Sequence, residues 1–125
     1  MKESKMPRCV VWDELPWDEF HPQVSRKVLM GQNMMIVMYK FKKGLTWPME
    51  RHESEQGGYI LKGKVEFRSG ETVTILGQGD SYLIESNAPH ESHYIEETIL
   101  LDIFSPPRKN LMEKGKGFAP DQCEK

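Results

Sequence analysis

From Val28 onward, apolar residues either alternate with polar ones or fall in short runs, the period of β-strands rather than helices. NMMIVMYKF is rich in strand formers. In GYILKGKVEFRSG two short strands flank a turn at Gly63, with Val65 and Phe67 set against Lys64 and Glu66. ETVTILGQGD sets Val73 and Ile75 against Thr72 and Thr74, and SYLIES and ETILLDIFSPP supply two more strands. MMIVM and TILLDIF are apolar on both faces, which predicts strands covered on both sides. Turn signals at Gly44, Gly57–Gly58, Gly63, Ser69–Gly70, Gly77 to Asp80 and Asn87 to Pro89 recur roughly every 8 to 12 residues, as in a sandwich or closed barrel.

The ends break this pattern. The barrel core is expected over about 28–106, between an N-terminal arm at 1–27 and a C-terminal tail at 107–125, all in one domain. The arm carries Pro7, Pro16 and Pro22 with Trp12, Trp17 and Phe20, and a short strand is predicted near Cys9 to Trp12. Its aromatic surface hints at a homodimer, although an arm folded onto its own barrel has the same sequence. RKNLMEKGKGFAPDQCEK predicts a short C-terminal helix of a turn or two.

Composition narrows the partners. A chain of 125 residues can build one core without staples. A net charge of −2 offers no basic field for a phosphate backbone, so nucleic acid is not an expected partner. Cys9 and Cys123 lie far apart without CxxC spacing, which suggests a reducing compartment, though a bridge between the two ends stays open. No apolar leader opens the sequence and MMIVM is too short to span a bilayer, so the expected setting is cytoplasmic and off the membrane.

Candidate chemistry concentrates in GLTWPMERHESEQGGYILKG. Glu50 and His52 are two residues apart, so on a strand both point to one face. A run of Glu-Arg-His-Glu-Ser-Glu is also what a solvated loop looks like, and His90 after Pro89 is also an ordinary turn residue. The spacing nevertheless resembles the two motifs of the cupins. The first is Gly44, LTWPM, Glu50-Arg51-His52, ESE, Gln56, GGYILK and Gly63; the second runs from Gly79 through DSYLIESNAP to His90. The resemblance covers about residues 34 to 108 and implies an all-β double-stranded β-helix (jelly-roll) barrel with a metal at its open end. It implies Glu50, His52, Gln56 and His90 as ligands, with Glu50 where the common pattern has histidine and Gln56 where it has glutamate. Such a nitrogen and oxygen set suits a divalent transition metal such as Zn, Ni, Mn or Fe. His93, Glu53 and Glu55 are expected at the surface or around the pocket, and His21 in a structural role.

Two segments resemble more closely the small metal-dependent cupins of pectin and alginate degradation, which open 4,5-unsaturated uronate rings. These are ERHESEQGGYILKGKVEF and LLDIFSPPRKNL. That resemblance implies a sugar-acid substrate, with Asp102 assisting proton transfer, Arg108 pairing with the substrate carboxylate and Phe104 forming an apolar wall. Read from the residues alone, Asp102 is an acid on the Leu100 and Phe104 face of an apolar strand, costly to bury unless paired. An ion pair with Arg108 satisfies it equally well. Two other functions remain open: a non-catalytic metal- or sugar-binding cupin, and an iron-dependent dioxygenase. The latter commonly uses three histidines and a glutamate, against which Glu50 and Gln56 both count.

Overall fold

The computed structural model describes residues 6–111 and 115–119. Its strands in chain order are β1 (Asp18–His21), β2 (Val24–Met30), β3 (Met35–Phe41), β4 (Thr46–Glu50), β5 (Glu55–Lys62), β6 (Lys64–Ser69), β7 (Thr72–Gly77), β8 (Ser81–Ile84), β9 (His90–Tyr94) and β10 (Thr98–Ser105). They form a six-stranded sheet in the order β1-β2-β3-β10-β5-β8 and a four-stranded sheet in the order β4-β9-β6-β7. All the strand pairs are antiparallel. The chain passes between the sheets at β3–β4, β4–β5, β5–β6, β7–β8, β8–β9 and β9–β10, which is the jelly-roll path the sequence predicts.

The core lies between the sheets. Along β3, Met35, Val37, Tyr39 and Phe41 are buried and Ile36, Met38 and Lys40 are half-buried, the period-two signature of one inward face. β10 repeats it with Thr98, Leu100, Asp102 and Phe104 inward. Phe104, Met35, Ile60 and Leu100 are fully buried, and each such side chain stabilises the fold by about 1.5–3 kcal/mol through removal of apolar surface from water. Gly63 closes the β5–β6 turn at φ 105°, and a Cβ there would lie 2.4 Å from the Glu97 carbonyl oxygen.

Four expectations need correction. The apolar runs in β3 and β10 are not covered on both sides: Ile36 and Met38 are half-buried and Ile103 is exposed on the outer face. Gly57 and Gly58 are not a turn but lie inside β5. No strand forms near Cys9 to Trp12, where the chain instead makes a 3₁₀ turn at Trp12–Glu14. The last is β2, which lies partly within the segment expected to be an arm and pairs with β3 from Val24↔Phe41 to Met30↔Met35.

The charges of Arg26 and Lys27 hid that strand. Both are buried, at 6% and 5% exposure. Arg26 is 3.5 Å from Asp18 and its guanidinium covers Phe20. Lys27 donates to the Trp12 carbonyl at 2.7 Å, and the Lys27 and Lys40 ammonium groups lie over the Trp17 ring, 4.5 and 4.6 Å from its centroid. The arm therefore folds onto its own barrel. At the other end, the described residues of the segment expected to be a short helix form a 3₁₀ turn at Lys109–Leu111. Cys123, and with it any pairing to Cys9, falls outside the described residues.

Candidate metal centre and its cavity

A bulge in β4 sets the first donor. Trp47 lies opposite Ser92 and Glu50 opposite His90, so β4 spends one more residue than β9 over this step. The extra residue turns Glu50 to face His90, the first residue of β9. His52 is not on the same strand as Glu50, because β4 ends at Glu50 and His52 stands in the following loop. That loop is tied down by Asn87, whose N–H donates to the His52 carbonyl at 2.7 Å, and by the Ser54 hydroxyl, which donates to the Pro106 carbonyl. Tertiary contacts, not strand periodicity, bring His52 to Glu50.

The backbone settles which face of each imidazole is available. His52 Nδ1 is 2.9 Å from the Ser54 carbonyl and His90 Nδ1 is 2.9 Å from the Ala88 carbonyl. A carbonyl only accepts, so each Nδ1 carries the proton and each Nε2 presents a lone pair. Burial holds the His90 imidazole below its ordinary pKa, which favours the neutral, ligating form. His52 Nε2 faces Gln56 Oε1 at 3.0 Å and Glu50 Oε1 at 3.9 Å. Two acceptors at 3.0 Å are an unfavourable pair unless a cation or a second imidazole proton lies between them. Donor atoms of Glu50, His52 and His90 all lie within 4.8 Å of one another. Two imidazole nitrogens, a carboxylate and an amide oxygen thus fit a divalent transition metal.

Asp102, Phe104 and Arg108 line the same cavity as Glu50, Gln56 and His90. Asp102, on β10, is 3% exposed. It accepts a hydrogen bond from the Tyr82 hydroxyl at 2.5 Å and another from the Gln56 side chain. Burial pushes its carboxyl up to about 7, although both hydrogen bonds and the Arg108 charge pull the other way. Arg108 does not form the ion pair with Asp102 that the bare sequence allows. It reaches Glu50 Oε1 at 3.0 Å, with its guanidinium 5.3 Å above Phe104. The Trp47 indole donates to Glu50 Oε2 at 2.7 Å, so both carboxylate oxygens are held. Arg108 Nε is buried without a partner.

Glu50, Gln56, His90, Asp102 and Arg108 line this cavity of about 140 Å³, whose apolar walls include Phe20, Val24, Tyr39, Phe41, Phe104 and Leu111. Glu53 and Glu55 are exposed, as expected. His93 bonds Thr46 at 2.7 Å and His21 packs edge-on against Trp47, so neither belongs to the donor cluster. Sequence reasoning missed Tyr82 and the hold of Trp47 on Glu50. The adjacent Gly57 and Gly58 within a strand-like run were the one signal for Tyr82, since an interior strand glycine marks a close approach.

The two jelly-roll sheets and the donor cluster beside the cavity are those of a cupin, and residues 37–104 match the cupin domain family. The chain belongs to that family. It is 31% identical over 110 residues to the pectin degradation protein KdgF of Dickeya dadantii (strain 3937), covering 86% of this chain and 100% of that protein. The structure of KdgF from Halomonas sp. superposes with a TM-score of 0.81 at 24% identity, over 86% of this chain and 100% of that one. An RmlC-like cupin from Shewanella frigidimarina NCIMB 400 gives 0.79 at 21%, over 86% and 98%. At these identities the two solved structures bear on the fold alone.

Proposed function

We propose that this cupin is a metal-dependent enzyme that opens the ring of a 4,5-unsaturated uronate or a related sugar acid. The observation that carries the reading is the convergence of Glu50, Gln56, His90, Asp102 and Arg108 on one small cavity, with His52 Nε2 held against Glu50 and Gln56. The likeness to a pectin degradation protein supplies the substrate class. The cavity suits a single sugar ring rather than a longer chain.

Glu50, His52, Gln56 and His90 would hold a divalent metal, which supplies Lewis acidity toward substrate oxygens. The protein's own groups do the rest. Arg108 offers its guanidinium, including the partnerless Nε, to the substrate carboxylate. Phe104 packs against the ring. Asp102, with a carboxyl pushed up to about 7, is suited to take and return a proton near neutral pH. The anomeric hydroxyl loses its proton, the bond from C1 to the ring oxygen breaks to leave an aldehyde and a C5 enolate, and the enolate takes a proton at C4 to become a ketone. Nothing is added or lost, so the change is an isomerisation. The setting we propose is a cytoplasmic homodimer of one-domain chains; the apolar outer row of Leu29, Ile36, Ile103 and Leu83 supports self-association.

Metal analysis of untagged protein, joined to loss of the unsaturated uronate absorbance, tests this reading. Bound transition metal and a falling absorbance are expected, and His52→Ala/His90→Ala should lose both while staying folded. One observation favours a second reading, a non-catalytic binding module. Both oxygens of Glu50 are already engaged, by Trp47 and Arg108. Protein without transition metal and without activity would select it.

A further inference from the structure

Tyr82, Gly58 and Asp102 occupy one row across three neighbouring strands. β8 pairs with β5 at Tyr82↔Gly58, and β5 pairs with β10 at Gly58↔Asp102. Gly58 has no side chain, so the Tyr82 ring lies across it. A Cβ on Gly58 would fall 2.1 Å from the Tyr82 ring carbon Cζ. The ring is held from the other side by Phe67, stacked at 5.0 Å and 15°. The phenol thereby reaches over a whole strand to Asp102 Oδ1 at 2.5 Å.

That contact matters for Gln56. The amide has two unlike ends, and the cavity treats them differently. Its donor end meets Asp102 and its acceptor end faces His52 Nε2 at 3.0 Å. Rotating the amide by half a turn would set its oxygen against the Asp102 carboxylate and its NH₂ against the donor cluster. A glutamate at 56 would place two carboxylates against each other in a buried site. Position 56 therefore needs an amide as long as Asp102 is held where it is.

We propose that Tyr82 and Asp102 form a positioning pair for Gln56: the phenol fixes the Asp102 carboxylate, which in turn fixes the amide so that its oxygen points at Glu50, His52 and His90. This rests on reading those four residues as the metal site. Asp102 then has a role in the resting site in addition to any in the reaction, and Tyr82 is a positioning residue that touches neither metal nor substrate.

Cobalt(II) is the probe, because both its affinity and its visible spectrum respond to the donor set, independently of activity. Outer partners of metal ligands typically contribute about 10- to 100-fold to affinity. Asp102→Ala is expected to weaken Co(II) binding within that range, and Tyr82→Phe, which keeps the ring and its stacking, by about 3- to 10-fold on the same scale; both should shift the visible band. Gln56→Glu should also weaken binding, and the double variant Gln56→Glu/Asp102→Asn, which exchanges donor and acceptor, should recover most of it. Thermal melting and near-UV circular dichroism of each variant separate this from loss of fold, and Asp102→Asn serves if Asp102→Ala does not fold. Wild-type affinity and spectrum in both Tyr82→Phe and Asp102→Ala, or no recovery in the double variant, overturns the positioning pair while leaving the metal site standing. A wild-type protein that binds no Co(II) overturns the metal reading and this inference together.

Discussion

Arg108 holds Oε1 of Glu50 at 3.0 Å. The residue expected to grip the substrate is therefore ion-paired with the residue that stands where cupins commonly carry their first histidine. Under the proposed function, one guanidinium would serve two anions, the resident Glu50 carboxylate and that of the substrate. A metal ion drawing on Glu50 would leave Arg108 freer for a substrate carboxylate. On that reading, a glutamate at position 50 would couple metal binding to substrate binding electrostatically.

Arg108→Ala should then have effects of opposite sign. Removing a positive charge beside the donor cluster should tighten metal binding by about 3- to 10-fold, measured by competition with a chromophoric chelator. The same change should lower kcat/KM for a uronate by about 10- to 100-fold, the size of a charge-assisted hydrogen bond to a carboxylate. Weaker metal binding in this variant would show that the ion pair holds Glu50 in place rather than competing for it.

Asp102 makes stability depend on pH. Its carboxyl is pushed up to about 7 by burial, against an ordinary value of 3.8. Between these values the folded protein binds more protons than the unfolded chain, so stability falls as pH rises. The contribution is complete below about pH 4 and lost by about pH 7. In chelator-treated protein, urea unfolding at a series of pH values should show Asp102→Asn with a flatter profile over that window than wild type. Parallel profiles for the two proteins would mean that Asp102 is ionised throughout.

Gly58→Ala tests how tightly Tyr82 is seated. The added methyl would lie 2.1 Å from Tyr82 Cζ, so the ring or a strand must move. A destabilisation of about 1–3 kcal/mol is expected from overpacking, together with a changed near-UV tyrosine signal. Unchanged urea midpoints would show that the ring has room to shift.

Trp17→Ala should loosen the arm. The ammonium groups of Lys27 and Lys40 both lie over the indole, and its loss should cost about 1–2 kcal/mol. Limited proteolysis should cut the variant ahead of β2 sooner than wild type. Equal cutting rates would place the hold on the arm elsewhere, with Arg26 and Asp18 the next pair to test.

Much of the barrel was legible in the chain because strand alternation is local. Met35, Val37, Tyr39 and Phe41 declare an inward face without reference to any other element. The same local reading failed at β2, because the pattern scores Arg26 and Lys27 as exposed. Only the folded arm shows how an ion pair, aromatic rings and a carbonyl satisfy them.

At the site, the sequence by itself determined the kinds of donor and their order: a carboxylate, an imidazole, an amide and a distant second imidazole. It also set an acid and an arginine at one end of an apolar strand. Tertiary structure alone decided who touches whom. The β4 bulge sets Glu50 opposite His90, a loop rather than a strand presents His52, and Arg108 goes to Glu50 instead of Asp102. Tyr82 reaches Asp102 only because β8, β5 and β10 lie side by side with a glycine between them. All four depend on contacts between segments far apart in the chain. For Glu50 and Tyr82 these act through cross-strand register, where one residue of slip changes which side chains face each other. For His52 and Arg108 they act through loop contacts outside the strands.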